Sequence, residues 1–407
     1  MNILFLQDDF PPYAKGGAGI VAHTLARALV RRKHTVTVIT AVGNRAHTGT
    51  FYEDGIRVER IYSNYTERWR GWRSLYNPTT VSTVSRLLRE IKPDVVHAHN
   101  IHYHLSYWTL HQAHRSGAKV FLTAHDAMLV HYGKLFKNKK GNYVLSAWQQ
   151  WCEYRFRYNP FRNIFIKILL KNVHKIFAVS NALQSALQEN GIHNIAMIHN
   201  GIAVEAWDVQ VQQVDVYIKK NHLEQKRIVL FGGRISASKG GNVILQAMRH
   251  VIHKEPSATL VLLGASTAYS NQLIQQAAAW GMKENVVSMG WLSGDELTTI
   301  YAAASVVVVP SLYLDPLPTV VLEAMASRKP VVGTCWGGTP EMVKNGETGF
   351  IIDPNDIHAF SVALEKILAD QKLQHTLGIA GYKRVKNLFS LDDWVQRTEK
   401  VYTAFYE

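Results

Sequence analysis

Arg234 and Lys239 stand five residues apart in a glycine-bounded loop, residues 232–241, directly after the apolar segment 228–231. A fixed guanidinium and an ammonium at that spacing can hold a diphosphate between them. Asp315 and Glu323 form a second charged pair, in the stretch that runs from Val306 to Ala326. That stretch opens with four valines, passes through Pro310, Pro316 and Pro318, and continues in the helix formers Leu322, Glu323, Ala324, Met325 and Ala326. Four β-branched residues in a row read as a buried parallel strand, and Pro318 fits the first turn of a helix. A helix N-terminus at the carboxyl edge of a sheet offers unpaired N–H groups and a positive dipole, which suit a phosphate. His125, followed by Asp126, closes another apolar segment, 119–123. Each feature also has a plainer reading: solvated surface cations, an exposed loop carboxylate, a satisfied strand-end histidine.

The spacing of the carboxylates adds information. Glu323 is five residues past Pro318, roughly 7–8 Å along a helix at 1.5 Å per residue. With a diphosphate on the helix end, one carboxylate reaches a group on one side and the other a group on the opposite side. A ribose, a diphosphate and a sugar in a row have that layout.

The elements that must hold these residues fall into two similar blocks. In the first, strands are expected at 2–5, 35–40, 93–99, 119–123, 175–179 and 196–198, with His125 after the fourth. A loop containing Gly16, Gly17 and Gly19 precedes a helix ended by Arg31, Arg32 and Lys33, and a polar helix covers 79–92. In the second block, strands are expected at 228–231, 259–263, 286–289, 306–309, 331–332 and 349–352. Strands alternating with helices make parallel sheets with right-handed crossovers. Residues 203–226 are polar and weakly periodic and read as a linker. The segment 390–402 is an amphipathic helix with Leu391, Trp394, Val395, Thr398 and Tyr402 on one face. The glycine loop lacks the third glycine of a dinucleotide fingerprint, which argues against NAD.

The 407 residues exceed one ordinary core, and the net charge of +14 is lopsided. Residues 1–205 hold 26 Lys and Arg against 12 Asp and Glu, whereas residues 206–407 hold 19 of each. Such asymmetry points to an anionic partner for the first half. Nucleic acid is disfavoured because no recognised binding module is present. The segment 162–175 places Asn163, Lys167, Lys171 and His174 on one helical face and Phe165, Ile168 and Leu169, with Phe161 just before them, on the other. That suits a helix on an anionic bilayer and equally a helix covering the core. The run 134–140 adds further cations. No apolar run spans a membrane, the first residues read as a strand, and only Cys152 and Cys335 are present, which favours a reducing compartment.

The stretch from Asp315 to Ala326 resembles the signature of retaining glycosyltransferases of family 4: Glu, seven residues, Glu, then Ala-Met-Ala. Asp315 occupies the first Glu position, a departure from the pattern. The Arg234 and Lys239 loop, the glycines before the first helix, His125, Gly337-Gly338-Thr339-Pro340-Glu341 and 346–349 extend the resemblance from residue 1 to about 402. It implies an α/β GT-B fold, with two Rossmann-like domains facing each other across a cleft and the last helix crossing back to the first. Their bounds would be 1–203 with 390–407, on the acceptor side, and 204–389, on the donor side. It implies hexose transfer from a UDP- or GDP-sugar to a glycan or lipid-linked acceptor, in surface polysaccharide, lipopolysaccharide or glycolipid synthesis, with no metal and no other cofactor. His125, Arg234, Lys239 and Asp315 would be catalytic. Gly17, Arg234, Lys239, Gly264, Leu317, Thr319, Val320 and Glu323 would bind the donor. The location implied is cytoplasmic, peripheral on the inner membrane face.

Three other readings remain open at this level. His97, His99, His102 and His104 invite a metal, although no cysteine lies near and closed ligand sets are the rule. A GT-B nucleotide-sugar 2-epimerase would carry the same donor residues. A non-catalytic protein binding sugar nucleotides or polysaccharide would tolerate the Asp at 315.

Overall fold

The computed structural model describes residues 1–14, 16–136 and 141–405. Lys15 of the glycine loop and Lys137, Lys139 and Lys140 of the cationic run lie outside them. The chain divides into two units, Met1–Asn200 with Asp392–Glu407, and Gly201–Leu391.

The first unit is built on an eight-stranded sheet. Its strands are β1 (Asn2–Leu6), β2 (Thr35–Val42), β3 (Gly49–Glu53), β4 (Ile56–Tyr62), β5 (Val95–Ala98), β6 (Lys119–Ala124), β7 (Lys175–Ala178) and β8 (Ile195–Met197). They run in the order β3-β4-β2-β1-β5-β6-β7-β8. All pairings are parallel except β3 with β4. That hairpin corrects the sequence reading, which had no strand between residues 40 and 93; His125 therefore follows the sixth strand, not the fourth. The signal was present. Asp54 and Gly55 both take positive φ, 52° and 78°, and Asp-Gly is a strong two-residue hairpin turn. Ser180 caps its helix as its residue type suggests, accepting from the Leu183 N–H at 3.2 Å. The final helix, Leu391–Thr403, buries Trp394, Val395, Thr398 and Tyr402. Its Glu399 pairs with Arg32 at 2.6 Å and His34 at 2.7 Å.

The second unit carries a six-stranded parallel sheet. Its strands are β9 (Arg227–Gly232), β10 (Ala258–Leu263), β11 (Val286–Gly290), β12 (Val306–Val309), β13 (Val331–Thr334) and β14 (Gly349–Ile352). The order is β11-β10-β9-β12-β13-β14. The four valines of β12 are buried, as a strand covered on both faces requires. Val306 and Val308 pack with Val229, Phe231, Leu260 and Leu262. The supposed linker is structured: a short turn, Val204–Trp207, precedes the helix Val211–Lys220, and Tyr217 and Leu223 are buried. Apolar Val211 and Val216 stay exposed on that helix, which is why its periodicity read as weak.

In both sheets the strand order reverses beside the first strand of the unit, at β1/β5 and at β9/β12. Ligands of open α/β sheets bind outside the carboxyl ends of the strands at such a reversal. The loops after β1, β9 and β12 leave the sheets there.

Candidate functional site

In the second unit three loops converge at the β9/β12 reversal. Leu312 donates its N–H to the Ser238 carbonyl at 2.8 Å, which ties the loop after β12 to the loop after β9. Gly240 has φ +85°, and a Cβ there would lie 2.0 Å from the Pro310 carbonyl oxygen. Only glycine permits that approach. On the other side Gly337 has φ +72°, a Cβ there would be 2.2 Å from the Asp315 carbonyl oxygen, and the Gly338 N–H donates to that oxygen at 2.9 Å. Residues 310–318 are thus held between two glycine loops.

That clamp buries Asp315, which is 4 % exposed. Its Oδ2 accepts from the Lys239 ammonium at 2.6 Å and from the Ser311 hydroxyl at 2.8 Å. The plainer reading of an exposed loop carboxylate therefore does not hold: Asp315 is turned inward and salt-bridged. Burial favours the neutral form of Lys239, but the Asp315 charge and hydrogen bond outweigh it, and the ammonium is held cationic. The Tyr313 ring lies 5.5 Å from the Lys239 nitrogen. Arg234 is exposed on the same loop.

The helix after this loop is Thr319–Ala326. Pro318 is its N-cap rather than its first residue, and it supplies no side-chain cap, so the helix start keeps its positive end uncapped by side chains. Glu323, one turn in, is half-buried and accepts from the Tyr301 hydroxyl at 2.5 Å. Burial pushes its pKa up, against hydrogen bonds from Tyr301 and Thr319. Val320 faces Gly232 and Gly233, where an added Cβ would touch its methyls at 3.7 Å. Leu317 is buried. Gly264 has a packing reason of its own: a Cβ would lie 2.2 Å from the Gly233 carbonyl oxygen.

In the first unit the loop after β1 carries Gln7, Asp8 and Asp9. Asp8 is buried and accepts the N–H groups of Tyr103, His104 and Leu105 at 2.6, 2.9 and 2.7 Å, fixing the loop after β5. Gly17 is the exposed first residue of the helix Gly17–Arg31. The tightly packed glycine is Gly19, where a Cβ would lie 2.5 Å from the Asp9 carbonyl oxygen.

His125 stands at the end of β6 with its Nε2 2.9 Å from Nδ1 of His99 and the two rings stacked. Burial lowers the pKa of His125 to about 4 and that of His99 well below the ordinary value, so both are neutral near pH 7. The Nε2 of His99 is buried without a partner among the described residues. An orphaned acceptor costs less there than an orphaned N–H donor. The favoured arrangement therefore puts the His99 proton on Nδ1, makes His125 Nε2 the acceptor, and leaves the His125 proton on Nδ1.

The four histidines of the metal reading turn to different partners. His97 contacts Thr123 Oγ1 at 2.7 Å and the Tyr402 hydroxyl at 2.5 Å. His102 faces Asp126 at 3.7 Å, and His104 Nδ1 lies 3.1 Å from the Ser63 hydroxyl. Among the described residues, the group whose ligand atoms gather within 4.8 Å is instead His23, Glu53 and Asp54, and there Arg27 already pairs with Asp54 at 2.9 Å. Sequence reasoning missed Tyr301, Ser311, Asp8 and the pairing role of His99. Ser311, four residues before Asp315, was legible as a neighbour. Tyr301 was not, since it lies on a different helix from Glu323.

Two Rossmann-like units, each with loops leaving its sheet at the strand reversal, have the architecture of a GT-B protein. The family model described as "Glycosyl transferases group 1" matches residues 214–384, and the one described as "Glycosyltransferase Family 4" matches residues 15–206. The chain belongs to the family 4 glycosyltransferases of the GT-B fold. It is 25% identical over 415 residues, 100% of its length, to an uncharacterized glycosyltransferase of Methanocaldococcus jannaschii, of which 99% is covered. In fold it is similar to sucrose-phosphate synthase from Thermosynechococcus elongatus, with TM-score 0.81 and 22% identity over 99% of this chain and 98% of that one. It is also similar to Anabaena HepE in complex with UDP-glucose, with TM-score 0.75 and 18% identity over 99% of both chains. Among the described residues no helix is long and apolar enough to cross a membrane.

Proposed function

We propose that this glycosyltransferase moves a hexose from a UDP- or GDP-sugar to an acceptor hydroxyl with retention of configuration and without a metal. The observation that carries the proposal is the cationic Lys239, held by buried Asp315 beside the side-chain-uncapped helix start at Thr319, with Glu323 one turn further on. The UDP-glucose bound by HepE supports a nucleotide-sugar donor. In this reading Lys239, Arg234 and the N–H groups of Thr319 and Val320 stabilise the diphosphate as it leaves. Glu323 takes ribose hydroxyls in place of, or together with, the Tyr301 hydroxyl. Leu317 packs along the donor and Gly264 keeps its loop close. Within the second unit Asp315 positions Lys239; within the first, His125, donating from Nδ1, and Gly17 at the glycine loop are the groups offered to a sugar. The acceptor O–H bond breaks as the new glycosidic bond forms. Its proton passes to the departing diphosphate oxygen on the same face, so no enzyme nucleophile is needed. The acceptor, a glycan or lipid-linked saccharide of surface polysaccharide, lipopolysaccharide or glycolipid synthesis, would lie on the first unit, at the inner membrane face.

The test is incubation with UDP- and GDP-hexoses, with and without saccharide and lipid-linked acceptors, following nucleotide release and the anomeric configuration of the product. Acceptor-dependent release with a retained anomer, unchanged by a chelator, is expected. Inversion or chelator sensitivity would overturn the mechanism. Acceptor-independent release with an epimerised sugar would identify an epimerase, and nucleotide binding without turnover a binding protein.

A further inference from the structure

The helix Arg162–Leu169 settles neither side of the choice posed for it, because it has two apolar faces. One is in the core: Arg162, Ile166 and Leu169 are buried. Arg162 is the anchor, with its guanidinium 4.7 Å from the Tyr132 ring centre and hydrogen bonds to the Met128 carbonyl and, at 3.0 Å, to Asn163 Oδ1. The other face points to solvent. Phe161 is 55% exposed, Ile164 58%, Phe165 50% and Ile168 51%. Their spacing of three, four and seven residues makes one stripe along the helix and the residue before it. Scattered exposed apolar residues are ordinary, but a continuous stripe of large ones marks an interaction surface.

The stripe does not stand alone. Asn159 donates to the Gly71 carbonyl at 3.1 Å, and a Cβ on Gly71 would lie 2.8 Å from the Arg157 carbonyl oxygen. Residues 69–73 and 155–161 are therefore packed neighbours, and Trp69 and Trp72 on the first of these segments are about half exposed. The same segments carry cations: Arg68, Arg155, Arg157, Lys167 and Lys171 are all exposed, with Glu67 the acid among residues 67–73. No Asp or Glu occurs between Glu153 and Glu189.

We propose that this face inserts its apolar stripe into an anionic lipid bilayer, with the flanking cations on the headgroups. The charge argues for that occupant. A second copy docked on the same face would set like charges opposite one another, which association penalises. Protein interfaces also deplete lysine near an apolar centre, whereas a helix with an aromatic and aliphatic face bordered by Lys and Arg is the composition that lies in a membrane interface. The inference deepens the acceptor reading above by naming the surface on which a lipid-borne acceptor would be met, and its test is independent of turnover.

The experiment is co-sedimentation of the full chain with phosphatidylcholine vesicles, with and without phosphatidylglycerol. It compares wild type, Phe161→Ser/Phe165→Ser/Ile168→Ser and Lys167→Glu/Lys171→Glu, with mass in solution and nucleotide-sugar turnover measured in parallel. Wild type should bind the anionic vesicles and lose binding as salt rises. Each variant should bind about tenfold or more weakly, and both should remain folded with turnover on a water-soluble acceptor intact. Wild-type binding that the triple variant leaves unchanged, no binding to anionic vesicles, or a wild-type dimer that the triple variant dissolves would each overturn the proposal.

Discussion

The two units repeat one construction, strands feeding helices with the order reversing beside the first strand, yet they handle charge in opposite ways. At the reversal of the second unit the side chains are ionic: Lys239 against Asp315, and Glu323 under a tyrosine hydroxyl. At the edge of the first they are neutral imidazoles, His99 and His125, kept uncharged by burial. A diphosphate demands fixed positive charge, and a sugar hydroxyl needs only a directed hydrogen bond. Outside the sites the contrast turns over. The second half balances its charges, while the first carries the whole excess of 14 positive charges and the stripe at 161–168. The same fold thus presents one ionic site on a neutral body and one neutral site on a basic body.

The strongest way to break this comparison is to remove the ionic site. Lys239→Ala and Arg234→Ala should each cost about 2–4 kcal/mol of transition-state stabilisation in kcat/KM, the scale of a lost charge-assisted donor. Steady-state kinetics check it, and wild-type turnover in both variants would remove the two cations from the mechanism.

Next come the carboxylates. Asp315→Asn unpairs Lys239, and Asp315→Glu overfills a loop already pressed on Gly337. Both should slow turnover, the first more, by roughly the hundredfold that small misplacements cost. Glu323→Gln should act differently, weakening nucleoside diphosphate affinity in calorimetry while the Asp315 variants largely spare it. Faster turnover in Asp315→Glu would mean that the inward loop is not what sets the rate.

A third change tests the neutral unit. Tyr402→Phe leaves His97 Nδ1 buried without its partner on the last helix. It should cost about 1–3 kcal/mol of stability, read by denaturant unfolding, with turnover of the folded enzyme retained.

The smallest effect on turnover is that of pH. His125 titrates near 4 when folded, against an ordinary value of 6.5. A lowered histidine keeps its full stabilisation above the unfolded pKa. Stability contributed by His125, His99 and His97 should therefore fall as pH drops from about 6.5 toward 4, at up to about 1.4 kcal/mol per pH unit for each group. Thermal unfolding across that window checks the direction. The pH–rate profile should show no inflection near 6.5 from His125, and His99→Phe should reduce turnover without introducing one.

Much of this was legible without coordinates. The alternation of apolar strands with helices, the valine run of β12, the glycine loop around Arg234 and Lys239, and the spacing from Asp315 to Glu323 each depend on neighbours within a few positions. Local periodicity and turn chemistry record such features directly. The hairpin at 49–62 is local too, marked by Asp54-Gly55. Other features were not local. Tyr301 meets Glu323 from another helix, and Ser311 and Lys239 meet on one oxygen of Asp315 although Lys239 comes 76 positions earlier. His97 was a metal candidate until Tyr402, 305 positions on, took its nitrogen. Residues 203–226 looked like a linker because their apolar side chains divide between the core and solvent.

By itself the sequence determined the fold class, the family signature and the uneven charge, because those are properties of residue order and composition. The tertiary structure decided which charges are paired, which imidazole orients which, and which face of an apolar helix is spent on the core. Pairing, tautomer and burial depend on atoms brought together from distant positions in the chain, and no periodicity along it encodes them.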